Sequence, residues 1–326
     1  MYTAFYSLTK KPFKMTPDPA FLYMTRQHRE ALAGLSYAIM DQKGFLVLSG
    51  VAGAGKTTLL AWVLEKLPAT KVQSSVILNP TLTPSEFLEL AMLDFGITDI
   101  PESKAHRLRI LQKFLLDGQR EERVSVLIID EAHKLSPEVL EEIRYLGNFE
   151  NADAKLLQVV LIGQGELDEL LGRPDLWQFK QRISVRLKLL PLSTSEIGEY
   201  IEHRWRVAGG GLPSPFSAEA IWNVGRWSNG IPRLINSICD NALVQAFADT
   251  SRTVTGDHVK MAAEDLLLID KPPSLVDRSS APSTTVPLAT SVPRIAQPLK
   301  LATLDRYSPR PKQSMFARWA MKLRWG

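Results

Sequence analysis

Residues 50–57 read Gly50-Val51-Ala52-Gly53-Ala54-Gly55-Lys56-Thr57, three glycines leading into a lysine and a threonine. The pattern G-x-x-x-x-G-K-[ST] is that of a phosphate-binding loop. Its glycines let the backbone curl so that successive N–H groups point at one phosphate chain. A helix beginning there adds the positive end of its dipole. Lys56 is placed to reach the β- and γ-phosphates of ATP, and the Thr57 hydroxyl to bind Mg²⁺. With Thr58 opening the helix, the expected cofactor-binding set is Gly50, Val51, Ala52, Gly53, Ala54, Gly55, Lys56, Thr57 and Thr58.

A second group of residues fits the same chemistry. Val126-Leu127-Ile128-Ile129-Asp130-Glu131 is an apolar run ending in two carboxylates. At the carboxyl end of a strand the chain turns, and both acids can face a ligand there. Asp130 would hold Mg²⁺ through water, and Glu131 would orient and polarise the attacking water. The metal set is therefore Thr57 with Asp130, and Glu131 heads the catalytic set.

The flanking elements are those such groups require. Residues 44–49 read as a buried strand before the loop, and 58–64 as a helix after it. Further strands are expected at 72–79, 124–130, 156–162 and 185–190, with helices at 84–95, 103–119 and from Ser136-Pro137 onward. Pro84 and Pro137 sit at first helical positions, and Ser136 caps. Strands alternating with helices mean a parallel sheet covered on both faces. Beyond Ser193 the pattern turns helical, at 193–207, 217–227, 233–248 and 255–268, with Ser or Thr at or near the N-terminal ends. The fold class is thus α/β, a P-loop sheet domain over 1–192 followed by an all-helical unit over 193–269.

Composition bounds the rest. The chain has 326 residues, 45% hydrophobic, with a net charge of +4. Residues 270–326 hold ten Lys/Arg against three Asp, or +7, which leaves −3 for the preceding 269. A broad nucleic-acid surface leaves a positive footprint on the fold, so this balance weighs against the folded part being a general DNA binder. The lone Cys239 excludes an intrachain disulfide and reads as a small buried hydrophobe. No signal sequence opens the chain and no stretch has membrane-spanning length, so the expectation is cytoplasmic. Residues 270–313 are rich in Pro, Ser and Thr without apolar periodicity, a linker. Residues 314–326 place Phe316, Trp319 and Leu323 on one helical face beside basic residues. Such an end suits peripheral membrane contact, docking to a partner, or fraying.

The order of these motifs resembles that of AAA+ ATPases. Tyr6-Ser7-Leu8, Thr16-Pro17-Asp18-Pro19 and His28-Arg29-Glu30-Ala31 resemble the opening of the ExeA-like group, the general secretion pathway protein A family. Leu161-Ile162-Gly163-Gln164, with Gly165 where the family has proline, and Gly230-Ile231-Pro232-Arg233 are similar to its sensor 1 and sensor 2 segments. The resemblance covers roughly residues 1–269. It implies Gln164 at the γ-phosphate or attacking water, and Arg233 reaching from the lid. It also implies that Arg182 or Arg186 is the finger offered to a neighbouring subunit, so a homo-oligomer with nucleotide at its interfaces. His133, completing Asp-Glu-Ala-His, is read as a bystander. The resemblance implies ATP hydrolysis serving envelope secretion, pilus or polysaccharide export systems. The alternative is a DNA-associated ATPase resembling transposition helpers.

Overall fold

The computed structural model describes residues 1–16, 18–68, 70–152 and 154–268. The linker and terminal helix expected over 270–326 lie outside the described residues. A short helix, α1 (Tyr2–Phe5), opens the chain, and α2 (Arg26–Met40) leads into β1 (Phe45–Gly50). Then follow α3 (Lys56–Lys66), β2 (Val72–Ile77), α4 (Pro84–Phe95), α5 (Lys104–Arg120) and β3 (Val124–Ile129). Next come α6 (Pro137–Leu146), β4 (Leu157–Gly163), α7 (Gly165–Gly172), α8 (Trp177–Lys180) and β5 (Ile183–Leu189). Four helices close the described chain: α9 (Thr194–Val207), α10 (Ala218–Ser228), α11 (Pro232–Ala248) and α12 (Gly256–Asp265).

The five strands form one parallel sheet in the order β2-β3-β4-β1-β5. Alternation along β1 sends Phe45 and Val47 into the core beneath α4–α8 and Leu46 and Leu48 into the core beneath α2 and α3. The sheet's three central strands are thus buried on both faces, while β2 is partly buried and the β5 edge is open on one side. There Ser184, Arg186 and Lys188 are exposed on one face while Val185 and Leu187 pack on the other. β5 starts two residues before the strand expected at 185–190, because Ile183 pairs with Phe45 ahead of a register shift.

Local chemistry sets the helix starts. Thr83 and Glu86 form a capping box ahead of Pro84, Ser193 and Glu196 another at α9, and Ser136 accepts from the Val139 N–H. Gly165 begins α7 directly, with open space where a side chain would stand. The absent family proline therefore does not prevent this helix from forming.

The opening segment is built into the helical core, not the sheet's. Tyr2, Tyr6, Leu8, Phe13 and Phe21 are buried with Tyr200, Trp205, Ile238 and Leu243. Aromatic edges meet faces between Tyr6 and Trp205 (5.6 Å) and between Phe13 and Phe216 (5.8 Å). Arg204, itself buried, fastens the segment. Its Nε donates to the Pro12 carbonyl at 2.7 Å, its Nη1 to the Tyr200 hydroxyl at 3.2 Å, and its guanidinium lies 4.9 Å from the Phe21 ring centre. Arg204→Ala leaves these acceptors without a charged donor, and a cost of about 2–4 kcal/mol is expected in chemical denaturation. Arg204→Lys is expected to recover little, because an ammonium cannot fork to two acceptors while stacking on a ring.

Candidate nucleotide site

β1, β3 and β4 all end on the same edge of the sheet, and their following residues converge there. Because β4 lies between β1 and β3, the residue after it falls between the glycine loop and the two acids. This is the crevice beyond the carboxyl ends where ligands of open α/β sheets bind.

The loop leaves β1 at Gly50, where an added Cβ would sit 2.4 Å from the Leu189 carbonyl oxygen of the neighbouring strand. Gly53 has φ +77°, and a Cβ there would meet Arg233 Cβ at 2.7 Å and Ile231 Cγ2 at 3.1 Å. Both positions thus exclude side chains by close approach as well as conformation. Gly55 caps α3, and Lys56 is the first helical residue.

Lys56 is buried, and its Nζ donates to the Gly50 carbonyl at 2.8 Å and the Val51 carbonyl at 3.0 Å. Burial pulls its pKa below the ordinary lysine value, against the pull of Asp130 and Glu131. The Thr57 hydroxyl donates to Asp130 Oδ2 at 3.0 Å, and Asp130 Oδ1 accepts the Glu131 N–H at 2.9 Å. Burial raises the Asp130 pKa above the usual carboxylate value, opposed by these two hydrogen bonds. A hydroxyl and a carboxylate side by side are hard oxygen donors of the kind Mg²⁺ takes alongside substrate phosphates. Among the described residues no cluster of three or more His, Cys, Asp or Glu could hold a metal by itself.

Glu131 adopts left-handed backbone, φ +53°, uncommon for a residue with a side chain. This turn after β3 swings its carboxylate away from the strand direction. Gln164 Nε2 approaches Glu131 Oε2 at 3.4 Å. His133, set aside in the sequence reading, stands with Nε2 3.5 Å from the same oxygen, and Lys134 Nζ at 3.6 Å. The His133 Nδ1 is buried with no partner among the described residues.

Lys56, Thr57, Thr58, Glu131, Gln164 and Arg233 all line one cavity of about 210 Å³, with Ala52, Gly53, Ala54 and Gly55 of the loop. Gly50, Val51 and Asp130 are not among its lining residues; Asp130 is buried behind Thr57. Arg233 comes from the helical unit, and its backbone N–H donates to the Gly53 carbonyl at 3.3 Å. Arg182 and Arg186 stand outside the cavity. Arg182 Nη1 donates to the Arg144 carbonyl at 2.9 Å, and Arg186 Nη1 lies 3.5 Å from Asp168 Oδ1. Asp168 also accepts from the Ser49 hydroxyl at 2.9 Å, just before the loop.

Sequence reasoning missed one wall of the cavity. Lys14, Thr16, Leu22, Tyr23 and His28 of the opening segment line it, opposite Asn236 and Arg204 of the helical unit. These positions overlap the strings that carried the family resemblance, which was their only signal.

Comparison with known proteins agrees with this geometry. Residues 39–171 match the family described as AAA domain. The chain is 42% identical over 270 residues to general secretion pathway protein A of Aeromonas hydrophila, covering 82% of this chain and 48% of that protein. It therefore spans about half the length of that relative. Among solved structures it is similar to Cdc6p of Pyrobaculum aerophilum, with TM-score 0.59, 18% identity, and coverage of 79% of this chain and 75% of that one. It is also similar to a Drosophila ORC structure bound to DNA, with TM-score 0.58, 22% identity, and coverage of 79% and 67%. At such identities these two likenesses speak for the fold alone. The relative and the family match together identify the chain as a member of the AAA+ ATPases, in the ExeA-like group of general secretion pathway protein A.

Proposed function

We propose that this protein hydrolyses ATP with Mg²⁺ at the glycine loop and uses the cycle to drive assembly of an envelope system. The observation that carries the reading is the convergence of Lys56, Thr57, Asp130, Glu131 and Gln164 at one sheet edge, with Thr57 and Asp130 hydrogen-bonded at 3.0 Å. In this reading Lys56 exchanges the Gly50 and Val51 carbonyls for β- and γ-phosphate oxygens. Thr57 and Asp130 would hold Mg²⁺, whose charge offsets that gathering on the phosphate oxygens. Glu131 orients the attacking water and draws off its proton as the water's bond to the γ-phosphorus forms and the bond to the bridging oxygen breaks, with ADP as the leaving group. Gln164 holds water and γ-phosphate in line, and Arg233 brings a positive charge from the lid. Phosphoryl transfer needs little beyond this positioning and charge compensation.

The work done with that energy is read from the relative, whose name assigns it to general secretion. The lid, the cavity wall and a finger supplied by Arg182 or Arg186 support reading the protein as an oligomer that changes shape with nucleotide. A DNA-associated role draws only on a shared fold, and the −3 charge of the first 269 residues opposes it. Among the described residues no helix is long and apolar enough to cross a membrane. Peripheral contact through residues 314–326 stays a proposal about a part of the chain beyond the described structure.

Two experiments test the reading. The protein alone is expected to release phosphate from Mg-ATP slowly. Lys56→Ala is expected to weaken nucleotide binding about 100-fold or more, through lost charge-assisted hydrogen bonds. A Lys56→Ala variant that binds and hydrolyses like the parent refutes the site.

The second concerns a shared site. Activity per molecule is expected to rise with protein concentration. Arg182→Ala or Arg186→Ala, mixed with Glu131→Gln, is expected to recover hydrolysis at hybrid interfaces, because each variant supplies what the other lacks. Whichever arginine acts must first leave its own-chain partner, the Arg144 carbonyl or Asp168. If neither mixture exceeds the sum of its components, the finger is not supplied by these residues.

A further inference from the structure

His28 is the third residue of α2 and only 6% exposed, yet it lines the cavity. Thr25 caps the helix: its Oγ1 accepts the His28 backbone N–H at 3.2 Å and lies 2.7 Å from Nδ1. With one lone pair of Oγ1 given to the backbone, its hydroxyl proton is free to point at Nδ1. With the hydroxyl donating in that way, the ring proton sits on Nε2. Nε2 lies 4.0 Å from where a Cβ on Gly55 would stand, beside the loop residue that precedes Lys56. Burial lowers the pKa of this imidazole, with only a weaker opposing pull from Glu196, itself held in the α9 capping box. In that tautomer a ring biased by burial towards its neutral form presents Nε2–H to the cavity at the level of Gly55.

A histidine kept only to fill a core would have apolar neighbours at both nitrogens or a protein partner at each. Here one nitrogen is fixed by the helix cap and the other meets the loop. We propose that His28 is a further nucleotide-binding residue, its Nε2–H donating to an oxygen of the diphosphate–ribose part of the bound nucleotide. The inference rests on the nucleotide reading above and extends it to the wall formed by the opening segment. It assigns His28 to the part of the ligand that ATP and ADP share, because His28 adjoins Gly55, not Glu131 or Gln164. Its contribution is therefore the same before and after hydrolysis, and acts on affinity and not on the chemical step.

The test is fluorescence titration of the full chain with N-methylanthraniloyl-ADP and its ATP counterpart. His28→Leu, close in volume and without a donor, is expected to weaken both about tenfold, the worth of one hydrogen bond to a charged or polar oxygen. KM for ATP is expected to rise by the same factor with kcat unchanged. His28→Gln, which keeps a donor near the Nε2 position, is expected to recover most of the affinity. A parent that binds neither probe removes the nucleotide reading and this inference with it. A parent that binds both, with His28→Leu equal to it, overturns this inference alone. A second measurement needs no variant. In ¹⁵N-histidine-labelled parent, His28 is expected as the Nε2–H tautomer, its Nε2 resonance shifting when Mg-ADP is added. An unshifted resonance under saturating Mg-ADP overturns the proposal.

Discussion

The contact on which the rest of this molecule turns is between the glycine loop and the first turn of α11. The Arg233 N–H donates to the Gly53 carbonyl, and Gly53 has no room for a side chain against Arg233 and Ile231. Three residues before Arg233, Gly230 lies so close to Leu192 that a Cβ would meet its carbonyl oxygen at 2.1 Å, while the Leu192 N–H donates to the Gly230 carbonyl. The phosphate loop, the start of the lid and the link from β5 are thereby packed at one point. A loop that wraps phosphate cannot alter its backbone there without moving the lid. In the nucleotide reading proposed above, nucleotide state would reach the lid through this steric contact and one hydrogen bond.

A second tie closes the same circuit from the other end of the chain. The opening segment is buried in the lid by its aromatic residues and by Arg204, then crosses the cavity and enters α2, which packs on the sheet beside β5. The cavity therefore has walls from three sources: loop, lid and opening segment. Ligand bound between them would hold all three in one arrangement. The Glu131 carboxylate, in left-handed backbone and within reach of Gln164, His133 and Lys134, sits at the remaining side.

Local signals made the sheet and its chemistry legible. The glycine pattern, the apolar run ending in Asp130-Glu131, and Ser136 and Ser193 at helix starts all act within a few positions, so spacing alone placed them. The parts that were not legible depend on distant partners. Nothing periodic in Tyr2, Tyr6, Phe13 and Phe21 says that they pack against Trp205 and Phe216, two hundred residues on. The insertion of β4 between β1 and β3 is likewise set by packing, and it alone puts Gln164 beside Glu131. The approach of His133 to Glu131 also depends on the turn at Glu131 and not on its neighbours in sequence. Likewise, the partners of Arg182 and Arg186 are a backbone carbonyl and a carboxylate on other elements, and sequence reading could name the arginines without locating them.

The central claim is that Glu131 activates the water that cleaves ATP at this loop. The most direct measurement is the identity of the nucleotide held by Glu131→Gln after incubation with Mg-ATP, read by quenching and chromatography of the bound fraction. The substitution keeps the shape of the side chain and removes the carboxylate's capacity to take a proton. The account requires the variant to retain intact ATP, with turnover reduced on the order of 100-fold or more, while the parent holds ADP. Bound ADP in the variant, formed as fast as in the parent, would contradict it.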